Sequence, residues 1–228
     1  MLLRGHTIIP NLSSSSVVCD FGANHAEFSL EIIQRFGCLC FAVEPNKTLI
    51  DAYPANERLR AFNLALSGQD GETEIEIGAD SESSSIVARP QHVIERQRVA
   101  TNTLTTFLDA NGIEFVDLAK FDIEGAELPV FDSTSDDVLR RFGQITIEFH
   151  DFNGWVAVED VQRILRRFAD LNFAICRMTN TAHGDVLLAN RDRIDFGPVR
   201  AAWVRTIEKY SRGIGRQLRS RLRASSTR

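Results

Sequence analysis

Four carboxylates in this chain stand where an apolar run ends. Asp20 closes Val17-Val18-Cys19, Glu44 closes Phe41-Ala42-Val43, Asp122 follows Val116 to Phe121, and Glu148 follows Gln144 to Ile147. Short apolar runs are what buried strands require, and a polar residue at the end marks where the strand leaves the core. In an open α/β sheet, ligands bind outside the carboxyl ends of the strands. The four acids can therefore converge on one crevice. An ionised carboxylate offers two acceptor oxygens to hydroxyl or ammonium donors. Acids at strand ends also cap helices and turns, so their surroundings must decide between a site and plain capping.

Asp20 is followed by Phe21-Gly22-Ala23-Asn24-His25-Ala26-Glu27, and then Phe28, Ile32, Ile33 and Phe36 recur at helical spacing. Strand, small-residue turn and helix together open a nucleotide site in a doubly wound sheet. The small residues let a ligand approach the backbone, and the helix start offers N–H groups. The turn lacks G-x-G-x-x-G, which speaks against an NAD or nucleotide-sugar enzyme. Glu44 follows Asp20 by 24 positions, where an acid usually holds a ribose diol. His150 lies two positions after Glu148, and Glu124 two after Asp122. If the acceptor of a group transfer is an alcohol, it must lose a proton, and a histidine poised near neutral pH is the best single base. His150, Glu148, Asp122 and Glu124 are the catalytic candidates, with Glu124 orienting substrate. The same carboxylates could hold Mg²⁺, but an imidazole in the set argues against it, and no residue is assigned to a metal. Glu127 reads as a first-turn acid and Lys120 as a partner for a nearby acid, neither with a role in the reaction.

The blocks D-F-G-A-N (from Asp20), V-E-P-N (from Val43), N-L-A-L-S (Asn63 to Ser67), K-F-D-I-E-G-A-E (from Lys120) and I-E-F-H (Ile147 to His150) occur in this order. Together they resemble the FkbM family of S-adenosylmethionine-dependent methyltransferases, over roughly residues 17 to 190. The one departure is Ala26, where the family usually has glycine. The resemblance implies a Rossmann-like class I methyltransferase fold and S-adenosylmethionine as cofactor. It places Asp20, Gly22, Ala23 and Asn24 at the methionine end, Glu44 and Pro45 at the ribose, and Ala65, Leu66 and Ser67 at the adenine. Asp122 belongs to both the cofactor and the catalytic sets. The implied activity is O-methylation of a small molecule or sugar. A binding or regulatory protein that keeps the fold without activity is the alternative.

The elements that must position these groups are legible in outline. Strands expected at Val17–Asp20, Leu39–Val43, Leu59–Leu66, Val116–Asp122 and Gln144–Phe149 alternate with helical stretches. These stretches run over Phe28–Phe36, Asn46–Tyr53, Leu104–Ala110 and, through Val158, Val161, Leu165, Phe168 and Leu171, an amphipathic helix. Alternation of this kind implies a mostly parallel, doubly wound α/β sheet. Phe173–Arg177 and Val186–Ala189 read as a closing antiparallel hairpin, with His183 and Asp185 in its turn. Thr73–Ile77 alternates as a short exposed strand, Gly78–Ser85 reads as a loop, and Arg98–Thr101 reads as another strand. Residues 1–16 are expected to be an irregular lead-in, 17–198 the domain, and 199–228 a basic tail.

A chain of 228 residues with 25% charged and 43% hydrophobic residues fits one soluble α/β domain. No run suits a signal sequence or a bilayer span. Cys19, Cys38, Cys40 and Cys176 lie in apolar runs without a C-x-x-C pair, as expected of reduced core thiols in the cytoplasm. Residues 200–228 hold nine Arg or Lys and one acid. The remainder, with 17 basic and 30 acidic residues, is net −13. Such an acidic body argues against nucleic acid as partner. In the tail, Trp203, Ile207, Tyr210, Ile214, Leu218 and Leu222 recur at helical spacing between arginines. That pattern suits a helix packed on the body, or peripheral docking on an anionic membrane or acidic partner.

Overall fold

The computed structural model describes residues 1–78, 84–85, 93–154, 156–179, 182–197 and 204. Seven strands make the main sheet: β1 (Val17–Phe21), β2 (Leu39–Val43), β3 (Leu59–Phe62), β4 (Val116–Phe121), β5 (Phe142–Ile147), β6 (Phe173–Arg177) and β7 (Val186–Asn190). Their spatial order is β6-β7-β5-β4-β1-β2-β3. Neighbours from β3 to β5 run parallel, and β7 is antiparallel to both β5 and β6. The order reverses between β1 and β4, which is where a doubly wound sheet opens a crevice.

The side chains alternate across this sheet, as strand geometry demands. Cys19, Phe21, Phe41, Val43, Ala119, Phe121, Ile145 and Ile147 pack into one cluster. That cluster is covered by residues of α3 (Leu104–Ala110), α4 (Glu127–Ser133), α5 (Asp136–Leu139) and α6 (Val158–Asp170). The intervening Val18, Cys40 and Leu118 pack with Phe28 and Ile32 of α1 (Glu27–Phe36) and with Leu3 and Ile8. Aromatic rings fill the first cluster edge-on or tilted, Phe121 against Phe131 at 4.9 Å and Phe131 against Phe168 at 5.3 Å. α1 ends at Gly37, whose left-handed φ of 71° lets its N–H reach the Ile33 carbonyl. α2 (Lys47–Asp51) is capped by the Asn46 side chain, which accepts from the Thr48 N–H.

The structure departs from the sequence expectation at several elements. The strand expected over Leu59–Leu66 breaks at Asn63, whose amide donates to the Glu44 and Pro45 carbonyls. Ala65–Leu66 then joins a second, four-stranded sheet with Gly71–Gly78, Ser84–Ser85 and Val93–Asn102. Thr73–Ile77 is part of the longer Gly71–Gly78 strand, and Arg98–Thr101 part of Val93–Asn102. Ile75, Ile77, Val99 and Ala65 form a small core there. Ser84–Ser85, expected in a loop, pairs with Glu76 and Ile77, and residues 79–83 lie outside the described residues.

The lead-in is not irregular throughout. Leu2–Leu3 pairs antiparallel with His6–Thr7, and this hairpin is pinned to the sheet. Thr7 donates its N–H and hydroxyl to the Asp185 carboxylate, and the Gln144 amide exchanges two hydrogen bonds with the Ile9 backbone. All four cysteines are buried thiols outside any disulfide. Among the described residues, no helix is long and apolar enough to cross a membrane. The amphipathic tail lies outside the described residues except for Val204, which is buried against Ile9, Cys176 and Phe196.

Candidate active site

Register sets the site. Phe21 pairs with both Val43 and Phe121, and Phe121 with Ile147, so four strands end at one level. The residues that follow stay laced together. Gly22 N–H donates to Val43, Glu44 N–H to Phe62, Asp122 N–H to Phe21 and Glu148 N–H to Phe121. A cleft of about 370 Å³ opens above these ends, within the usual range for a small-ligand site. Of the expected cofactor residues, Gly22, Ala23, Asn24, Glu44, Pro45, Ala65, Leu66 and Asp122 line it.

The β1–α1 turn is tightly determined. Gly22 has φ 77°, and a Cβ there would sit 1.8 Å from the Asp122 carbonyl oxygen. Asn24 and Ala26 are also left-handed, with φ 49° and 56°. Asn24 is held by its N–H donating to Glu44 Oε2 (2.9 Å) and by Tyr53, whose hydroxyl donates to the Asn24 carbonyl. Burial pushes the Tyr53 hydroxyl pKa up, so it remains a donor. Glu44 accepts from Asn46 N–H through its other oxygen (2.9 Å). A carboxylate oxygen can accept from a ligand hydroxyl as well as from a backbone N–H.

Ala26 explains how the chain tolerates losing a glycine. Its methyl is fully buried, and its N–H closes the turn on Ala23 O at 2.7 Å. A left-handed alanine costs roughly 1–2 kcal/mol, and a buried methyl returns roughly 0.8 kcal/mol. Ala26→Gly is therefore expected to change unfolding free energy by less than about 1 kcal/mol. Urea unfolding checks this, and a larger change in either direction would show that the turn is strained differently. Ala26 thus gives no ground for reading the turn as defective.

Two expected cofactor residues stand elsewhere. Asp20 is fully buried and lies beneath the turn. Its carboxylate accepts from the Ser29 hydroxyl (2.8 Å) and pairs with Lys120 Nζ at 3.3 Å. It braces the turn and does not line the cleft. Ser67 follows the side-sheet strand Ala65–Leu66, where its N–H donates to Asn102 O. Leu64 and Ile123, not singled out in the sequence, add apolar wall.

Lys120 has more to do than pair with one acid. Its ammonium donates to Gly22 O (2.7 Å) and reaches Asp20 and Asp122 (3.5 Å), tying β4 to the turn. Burial alone would lower its pKa, but the two carboxylates outweigh it and raise it. Asp122 is the mirror case. Burial pushes its pKa up, and Lys120, His6 and His150 overcome that and hold it well below the carboxylate range. Glu148 is pushed up by burial and then by the Asp122 charge; it stands beside Asp122 without lining the cleft.

His150 differs most from expectation. It begins a 3₁₀ turn (His150–Asn153) instead of extending β5. Nε2 lies 3.2 Å from Glu124 and 3.8 Å from Asp122, and Nδ1 lies 3.4 Å from Glu127. Burial disfavours the charged ring, but Glu124 and Glu127 prevail and push it up to about 10. Three carboxylates around the ring favour the imidazolium at neutral pH, the form that holds these acids in place. Glu127, fully buried, also accepts from Ile123 N–H and holds the β4–α4 turn. Glu124 is left-handed at φ 55° and lines the cleft. His183 is bound to Asp151 (2.6 Å) and Asp185 to Thr7, so both serve the fold of the rim. The residue missed outright is His6. It is 3% exposed, lines the cleft, and has Nε2 3.6 Å from Asp122 Oδ2.

A doubly wound sheet with β7 inserted antiparallel, and a cleft above the ends of its central parallel strands, is the Rossmann-like class I methyltransferase fold. The sequence matches the Methyltransferase FkbM domain over residues 20–175, and the chain belongs to that family. Similar solved structures include TrmK of M. capricolum in complex with S-adenosylhomocysteine (10% identity, 84% of this chain and 70% of that one, TM-score 0.43). Another is precorrin-6y C5,15-methyltransferase from Geobacter metallireducens (14% identity, 78% and 80% covered, TM-score 0.42). Among curated proteins, none matches.

Proposed function

We propose that this chain is an S-adenosylmethionine-dependent O-methyltransferase acting on a hydroxyl of a small molecule or sugar. The observation that carries the reading is Glu44, fixed by two backbone N–H groups at the cleft wall beside the Gly22–Asn24 turn. The residues fit the cofactor by chemistry: a carboxylate for a diol, Leu64, Ala65 and Leu66 as an apolar wall, and a small-residue turn that admits a close approach. S-adenosylmethionine would supply an electrophilic methyl group on a sulfonium.

The chain's own residues do the rest. Asp122 stays ionised and favours positive charge at its end of the cleft. Lys120 and His150 hold Asp122 and Glu124 in place, which fixes the geometry on which an in-line transfer depends. Asp122 and Glu124, as acceptor-only groups, match an acceptor rich in hydroxyl donors and disfavour an anionic one. Four cysteines outside any disulfide suit a reducing compartment such as the cytoplasm, and fractionation of expressing cells checks that. Glu44→Ala is expected to weaken S-adenosylmethionine binding by roughly 1–3 kcal/mol, because two ribose donors lose a charged acceptor. Calorimetric titration reads this, and wild-type affinity in a folded Glu44→Ala protein would sink the reading.

A further inference from the structure

The N-terminal hairpin delivers one histidine to the acidic ends of β4 and β5. A His6 ring nitrogen, an Asp122 oxygen and a Glu148 oxygen all lie within 4.8 Å of one another. Donors about 2.1 Å from a shared first-row ion stand roughly 3.0–3.4 Å apart. The His6–Asp122 edge, at 3.6 Å, is already near that size. The hairpin is fixed independently by Thr7 on Asp185 and Ile9 on Gln144, so His6 is placed before any ligand arrives.

Two features ask for a cation there. His6 is 3% exposed, and its Nε2 stands 3.6 Å from Asp122 Oδ2, longer than a hydrogen bond, so that contact leaves room for a closer partner. Asp122 and Glu148 bring two carboxylates together, which repel unless a proton or a cation lies between them. Lys120 does not fill that place, since its shorter contacts go to Gly22 O (2.7 Å) and Asp20 (3.3 Å). His150, in the neighbouring trio with Asp122 and Glu124, is already paired with Glu124 and Glu127.

We propose that His6, Asp122 and Glu148 bind a divalent transition ion beside the part of the cleft that His6 and Asp122 line. One imidazole with two carboxylates suits Mn²⁺, Fe²⁺ or Zn²⁺ better than Mg²⁺, which takes oxygen ligands. Three protein ligands leave coordination positions open. An acceptor hydroxyl meeting the ion would lose its proton to solvent more readily. That use rests on the methyl-transfer reading; the metal site does not.

The test is calorimetric titration of the metal-stripped full chain with Mn²⁺, Zn²⁺ and Mg²⁺. Single-site binding of Mn²⁺ or Zn²⁺ is expected, with Mg²⁺ weaker. His6→Gln and Glu148→Gln should each weaken Mn²⁺ and Zn²⁺ by about tenfold or more. No saturable binding, or wild-type affinity in both variants, overturns the site. If a variant melts below the wild type, Mn²⁺ broadening of the His6 ring signals in the wild-type protein decides instead, and unbroadened signals overturn the site. Titration with S-adenosylhomocysteine reads the cofactor cleft separately. Metal binding without it leaves the site standing and sinks the methyl-transfer reading, and the reverse sinks the metal site alone.

Discussion

Gly22→Ala is expected to destabilise the protein by at least about 4 kcal/mol and to remove S-adenosylhomocysteine binding. The added Cβ would lie 1.8 Å from the Asp122 carbonyl oxygen, a backbone atom that cannot swing aside. The carbonyl is fixed because Asp122 N–H donates to Phe21 O, and Lys120 donates to Gly22 O from the same strand. Relief therefore requires β1 and β4 to part or the turn to move. Either shift carries Asn24 off Glu44 and spoils the cleft wall. The positive φ of Gly22 adds strain that any side chain would feel. For a domain of this size the melting temperature should fall by on the order of 10 °C. Retention of both wild-type melting and ligand affinity would show that the turn is not the rigid floor described above.

The main sheet was legible because each strand carries its own pattern. Apolar runs ending in Asp20, Glu44, Asp122 and Glu148, separated by helical periodicity, leave few other topologies. What stayed hidden was the polar stripe. Asp20, Lys120, Asp122, Gln144, Thr146 and Glu148 alternate with apolar residues along three central strands. A central strand buried on both faces should be apolar throughout, so this alternation was a signal that a polar element covers that face. That cover is shared by Ser29 of α1, which donates to Asp20, and by the N-terminal segment, where His6 meets Asp122 and Ile9 meets Gln144. The strands of that segment are two residues long, too short for any periodicity to announce them. The strand break at Asn63 was hidden for another reason: it depends on a side-chain amide reaching Glu44 and Pro45 carbonyls across the sheet. His150 was found by type and position, but its charge state depends on Glu124 and Glu127, which only the fold brings to it.

His150→Gln, in chelator-treated protein, is expected to cost roughly 3–5 kcal/mol near neutral pH, because it strips a buried carboxylate, Glu127, of its cation. The pH dependence fixes the cause. The imidazole is pushed up to about 10 from an ordinary 6.5. A group raised on folding binds its proton more tightly in the native state. Its contribution is therefore fully present below about 6.5 and is lost as pH rises through about 10. Wild-type stability should thus decline between these values by up to a few kcal/mol. Buried Cys19 and Cys40, also raised above their ordinary 9.0, add a loss at the alkaline end. The wild-type-minus-variant difference isolates His150, since both proteins share the thiols. Urea unfolding from pH 6 to 10 measures that difference, and an NMR titration of the ring reports its proton directly. A difference that narrows steadily toward the alkaline end is the expected result. A ring titrating near 6.5, or a difference flat with pH, would return His150 to the role of a neutral base and leave Glu124 and Glu127 to be held by something else.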